Sequence, residues 1–86
     1  MSDPLVDRFR AQIAEKDRAI LDAVNARLRL VAELKRHKES VGMSFVDAGQ
    51  EERLLQALDA ANAGPLSGGG LRELWDEILA LMKREV

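Results

Sequence analysis

The sequence contains no cysteine and few aromatic residues: two Phe, one Trp and no Tyr among 86 residues. Without cysteine there is no disulfide and no thiol chemistry, which fits a reducing, cytoplasmic location. No apolar run approaches the ~20 residues of a membrane span, and the N-terminus lacks a signal-peptide core. The only histidine is His37, and no carboxylate cluster accompanies it, so we expect no metal site.

The sequence also has no large excess of either charge, because its 13 basic and 15 acidic residues give a net charge of -2. Such a balance gives no general attraction to nucleic acid or to an anionic membrane. Any anion must therefore be held by a few focused cations. The 47% of apolar and 33% of charged residues are typical of amphipathic helices. We expect residues 1–86 to form a single domain.

The first predicted helix is very long. Asp3 is a plausible N-cap, Pro4 suits the first helical position, and no helix breaker follows until Gly42. A helix from about 4 to about 40 would measure ~54 Å. A compact domain of this size is only roughly 30 Å across, so the part of the helix that extends beyond the domain needs another chain to cover it. We therefore predict a homodimer, the commonest assembly.

Two shorter helices are predicted after it. The segment "DAGQEERLLQALDAANAG" has Asp47 at the N-cap position and Gln50 three residues later, which is the spacing of a capping box. The segment "GPLSGGG" is predicted to be a loop. The third helix, "LRELWDEILALMKREV", has one apolar face, and Trp75 on it is expected in the core. The chain is thus predicted to be all-α.

Charged residues interrupt the apolar stripe of the first helix. In heptad register, the stripe contains Ile13, Ile20, Val24, Val31 and Leu34, and also Arg10, Asp17, Arg27 and Lys38. Long basic side chains can extend off a helix edge into water, which is the simplest interpretation. However, one aspartate cannot offset three cations, and buried like charges are costly without an anionic partner.

Spacing indicates which cations could share a ligand. Arg27 and Lys38 are 11 residues apart, which is three turns and ~16 Å along one face. Arg10 is ~25 Å from Arg27, too far within one chain. In an antiparallel dimer the partner's Arg10 would approach that site. Arginine binds carboxylates through a bidentate fork, so a small compound with two carboxylates would fit.

The start of the second helix adds candidates with two interpretations. Asp47, Gln50 and Glu51 could be a cap, its box partner and a solvated acid. Alternatively, Glu51 accepts a hydrogen bond from a ligand hydroxyl. Lys35, near the end of the first helix, is expected to be solvated.

The ordered segments "FRAQIAEKDRAIL", "NARLRLVAELKRHK" and "VDAGQEERLL" resemble the all-helical, AroQ-class chorismate mutases. The resemblance spans nearly the whole chain. It implies an intertwined antiparallel homodimer that rearranges chorismate to prephenate in aromatic amino-acid biosynthesis, on the shikimate pathway. It also implies that no cofactor or metal takes part.

The same resemblance assigns roles to individual residues. Arg10 of the partner and Arg27 would bind carboxylates, and Lys38 would bind a carboxylate and the ether oxygen. Glu51, with the backbone near Asp47, would hold the ring hydroxyl. Arg27, Lys38 and Glu51 are the expected catalytic residues.

The chain departs from the family pattern at several positions, including Met82 in place of a small polar residue and Lys35 in place of a glycine. Gln50 stands where an arginine is usual, with Arg53 one turn on as a weak substitute, and Val86 stands where a late Gln or Glu is usual. A related enzyme acting on isochorismate or aminodeoxychorismate is one alternative, and a non-catalytic dimerisation or regulatory module is another. Activation by a synthase of the same pathway is a further expectation, because some short members of the family behave in this way.

Overall fold

The computed structural model describes residues 3–86, and every regular element in them is an α-helix. Helix α1 is Pro4–Ser40, α2 is Ala48–Ala61 and α3 is Gly68–Glu85. The prediction of three helices with a very long first one is confirmed. The Asp3 carboxylate caps α1 by accepting hydrogen bonds from the backbone N–H groups of Leu5 and Val6, at 2.8 and 3.3 Å. None of these helices has the length and hydrophobicity needed to cross a bilayer.

A tight reversal ends α1 and carries the chain to α2. Gly42 has φ of 73°, a left-handed conformation that costs a residue with a Cβ about 1 kcal/mol or more. This conformation lets the backbone N–H of Met43 reach the carbonyl of Lys38 at 2.8 Å. The connection after it, residues 43–47, lies back along the last turns of α1.

Helix α3 begins three residues earlier than the sequence predicts. The segment Gly68–Gly70 is helical, whereas its composition indicated a loop. The Ser67 hydroxyl accepts a hydrogen bond from the backbone N–H of Gly70 at 3.0 Å, and Leu71 is buried behind this cap. An added Cβ on Gly70 would lie 3.0 Å from the Ser67 hydroxyl, so glycine leaves room for the cap. Capping and burial here offset the low helix propensity of glycine.

The hairpin of α2 and α3 supplies the small core. In residues 3–86 only Leu55, Leu71 and Met82 are buried, with at most 5% of each residue exposed. Trp75 is half-buried, so the prediction that it is a core residue holds only in part, as is common for so large a side chain. Arg72 pairs with Glu52 at 3.3 Å, and the hydrogen bond raises the pKa of Arg72. Both side chains are exposed, so this pair adds little stability.

The N-terminal half of α1 extends away from the hairpin without covering. The molecule measures 61 × 24 × 18 Å and its radius of gyration is 17.0 Å, against about 12 Å for a compact chain of this length. Residues 3–23 are all exposed, and large apolar side chains are among them: Leu5, Val6, Phe9, Ile13, Ile20 and Leu21. Burial along α1 begins at Val24. An apolar surface of this length is typical of an interface.

Candidate active site

A cavity of about 130 Å³ lies where the second half of α1, the connection to α2, the start of α2 and the end of α3 meet. Half of its lining is apolar and half is polar or charged. The apolar residues are Val31, Leu34, Phe45, Val46, Leu79 and Met82, and the others are Arg27, Lys38, Asp47, Gln50, Glu51 and Lys83. Polar groups on an apolar wall are typical of small-molecule sites, although these usually measure ~300–1,000 Å³. The cavity of this single chain is smaller than that range.

Helix α1 presents two of its three predicted cations to this cavity. Arg27 and Lys38 are half-buried, and three helical turns put them on one face. The Lys38 ammonium donates a hydrogen bond to the carbonyl of Phe45 at 3.2 Å, which draws it over the connection. Among the ion pairs of residues 3–86, none involves Arg27 or Lys38. Their charges are thus available to an anion.

The start of α2 places three further predicted residues on the cavity. Asp47 is the N-cap, and its carboxylate accepts a hydrogen bond from the backbone N–H of Gln50 at 3.1 Å. Gln50 accepts from the Arg53 guanidinium, with Nε at 3.3 Å and Nη2 at 3.2 Å. This contact occupies the amide oxygen and leaves the amide N–H groups of Gln50 as donors. Arg53 is exposed and lies outside the cavity lining.

Glu51 and Lys83 form an ion pair at the edge of the cavity. The Lys83 ammonium lies 2.8 Å from Oε1 of Glu51, and the Glu51 side chain is only 30% exposed. Glu51 therefore differs from the fully solvated acid that one interpretation of the sequence allowed. Lys83 was missed in the sequence. The available signal was its position directly after Met82 and one turn beyond Leu79, at the edge of the apolar face of α3.

The C-terminal residue lies beside the cavity instead of lining it. The backbone oxygen of Val86 accepts a hydrogen bond from the Lys35 ammonium at 2.7 Å. That ammonium also lies 5.6 Å from the centre of the Phe45 ring, a cation–π distance. The prediction that Lys35 is solvated is wrong, because the end of α3 and the connection half-bury it.

Arg10 is the predicted site residue that this chain does not bring to the cavity. It is exposed on the uncovered half of α1, and 17 residues of helix separate it from Arg27, about 25 Å. Its participation through a second copy stays a prediction. In the described chain no three His, Asp or Glu side chains are grouped as a metal site would require.

The fold and the cavity together define a class: an all-helical protein whose long first helix presents two cations, without ion-pair partners in the described part of the chain, to a small cavity. Comparison with known families and structures agrees with this class and narrows it. The sequence profile of chorismate mutase type II matches residues 9–85, so the chain belongs to that family.

Two solved structures of the chorismate mutase from Thermus thermophilus are similar to this chain. The structure called form II is 30% identical, with a TM-score of 0.89 over 92% of this chain and 90% of the other. Form I is 31% identical, with a TM-score of 0.87 over 90% and 96%. No curated protein sequence gives a significant match.

Proposed function

We propose that this chain catalyses the rearrangement of chorismate to prephenate, with residues 1–86 forming one catalytic domain. The observation that carries the proposal is the pair of half-buried cations, Arg27 and Lys38, which line the cavity without a protein carboxylate as partner. Half-buried charges of one sign are costly unless an anion meets them. Chorismate carries two carboxylates and supplies that anion.

Arg27 and Lys38 have different tasks in this reaction. The planar guanidinium of Arg27 suits bidentate binding of one carboxylate, which fixes the substrate in its reactive, compact conformation. The rearrangement is pericyclic, and negative charge develops on the ether oxygen in the transition state. Lys38 has three N–H donors and uses one on the carbonyl of Phe45. The remaining donors can hold a carboxylate and the ether oxygen, stabilising the transition state more than the substrate.

The start of α2 recognises the rest of the substrate. Glu51 is an acceptor for the ring hydroxyl, because a carboxylate has two oxygens and only one of them faces Lys83. Asp47 caps α2 and so fixes the backbone beside that hydroxyl. Gln50 offers amide N–H donors as a neutral substitute for the arginine that is usual in the family.

The complete site requires a second copy of the chain in this proposal. The single-chain cavity is small, and the exposed apolar surface of residues 5–21 needs covering. An antiparallel homodimer would cover that surface and bring Arg10 of one copy to the cavity of the other. Arg10 then binds the second carboxylate. The proposal includes a cytoplasmic location, which the cysteine-free sequence fits, and a synthase of the same pathway as an activating partner.

The alternatives make different demands on the same residues. A non-catalytic dimerisation module would satisfy the cations of α1 with protein carboxylates, and in residues 3–86 no carboxylate forms an ion pair with Arg27 or Lys38. A relative acting on isochorismate or aminodeoxychorismate would use the same cavity with Gln50 shifting the preference. Only turnover of each compound distinguishes these enzymes.

The test follows the loss of chorismate absorbance with purified protein, alone and with candidate synthases, and repeats it with isochorismate and aminodeoxychorismate. We expect turnover of chorismate with prephenate as product. Arg27→Ala should lower kcat/KM by at least about 100-fold. Arg29→Ala removes the same charge from an exposed position two residues along α1 and should leave kcat/KM nearly unchanged. Preferred turnover of another compound, or equal activity of the two variants, would overturn the proposal.

A further inference from the structure

Lys83 is a third cation of the cavity, and nothing in the proposed mechanism so far uses it. We propose that Lys83 binds a carboxylate of the substrate directly and helps to select dianionic ligands. This inference rests on the proposed function and adds a specificity-determining residue to the same site.

Helix α3 holds Lys83 firmly at the cavity. The preceding residue, Met82, is 2% exposed and anchors this turn in the core. From there the Lys83 ammonium reaches across to Oε1 of Glu51 on α2, at 2.8 Å, with 41% of its side chain exposed. The ammonium therefore lies on the cavity side of α3 and is also open to an entering ligand.

The charges of the cavity lining show why this cation matters. Arg27 and Lys38 share the lining with Asp47 and Glu51, so the formal charges of these four residues sum to zero, although no ion pair joins either cation to either carboxylate. Lys83 gives the lining a net positive charge. The proposed Arg10 of a second copy would add another, and the two excess cations would then match the two carboxylates of the ligand. Without Lys83, a dianion would leave one of its charges unbalanced in a half-buried site.

The start of α2 does not supply this charge. Gln50 is neutral, and the nearby guanidinium of Arg53 binds the amide oxygen of Gln50 outside the cavity. Lys83 lines the same cavity from α3, where it contacts Glu51, the residue after Gln50. Its flexible four-carbon stem lets the ammonium contact Glu51 and an entering carboxylate.

A purely positioning role for Lys83, exerted through Glu51, predicts a different result. In that case Lys83 matters only while Glu51 carries its charge. Once Glu51→Gln removes the ion pair, a further change at Lys83 would have no effect on ligand binding. Direct binding predicts that Lys83 still contributes in that background.

The experiment measures prephenate binding by calorimetry and chorismate turnover for wild type, Lys83→Gln, Lys83→Arg and the matched control Arg84→Gln. Arg84 is the next residue on α3, is exposed and lies outside the cavity lining. Lys83→Gln should weaken prephenate binding and raise KM by about tenfold, with kcat changed less than about threefold. Lys83→Arg should restore most of the affinity, and Arg84→Gln should match wild type.

The same measurements are made in the Glu51→Gln background, with thermal melts to establish folding. A loss of about tenfold on adding Lys83→Gln to Glu51→Gln supports direct binding. No additional loss there, or unchanged binding by Lys83→Gln alone, overturns the inference while wild-type turnover leaves the proposed function standing. Absence of both turnover and prephenate binding in the wild type would overturn the two together.

Discussion

Replacing Lys38 by Met removes one charge from the cavity while keeping a side chain of similar length. At ~4 Å and an effective dielectric constant of ~20, two unit charges interact by about 4 kcal/mol. A half charge on the ether oxygen would thus lose about 2 kcal/mol. A charge-assisted hydrogen bond to a carboxylate adds roughly 1.5–3 kcal/mol. Together these predict a fall in kcat/KM of about 1,000-fold.

The fold should tolerate this change. Within residues 3–86 Lys38 makes one side-chain hydrogen bond, to the carbonyl of Phe45 at 3.2 Å, so the free energy of unfolding should change by about 1 kcal/mol. The assay is steady-state loss of chorismate, together with a urea melt. Arg36→Met is the control, because Arg36 is exposed two residues earlier on α1. A fall of less than about tenfold for Lys38→Met, or an equal fall for the control, would refute the reasoning.

Three further predictions concern the assembly and the backbone. Ile13→Glu places a charge on the exposed apolar surface of α1, so sedimentation should show dissociation to monomers and turnover should be lost; a dimer with full activity would contradict the proposed interface. Gly42→Ala should lower the stability by about 1 kcal/mol, because φ is 73° and no neighbour lies within 4 Å to interfere. Gly69→Ala, also in open space but inside α3, should raise the stability by roughly 0.5–1 kcal/mol. If thermal melts showed both glycine variants shifting the stability in the same direction, backbone conformation would not be the cause.

The long first helix was predictable because its signals are local. Asp3 and Pro4 start it, and the first strong breaker, Gly42, follows its end at Ser40. The start of α3 was not predictable in the same way. Three consecutive glycines usually indicate a loop, and only the Ser67 cap together with burial of Leu71 makes them helical.

The site residues also differ in how far the sequence could predict them. The positions of Arg27 and Lys38 on one face follow from the period of a single helix, and the structure brings both to the cavity. Lys83 owes its environment to the packing of α3 against α2, where it pairs with Glu51. The half-buried Lys35 owes its environment to Val86 at the end of α3 and to Phe45 in the connection. The period within one helix cannot reveal what a distant segment will place beside it.

Mixing subunits tests most directly the claim that the cations serve a ligand held between two copies. Arg10→Ala and Lys38→Ala are each expected to be nearly inactive as pure proteins. If each site takes Arg10 from one copy and Lys38 from the other, a mixed dimer has one site with both changes and one intact site. After unfolding and refolding an equimolar mixture, about a quarter of the wild-type turnover should return. If both residues served the same chain's site, each site of the mixed dimer would carry one change, and the absence of any recovery would contradict the account.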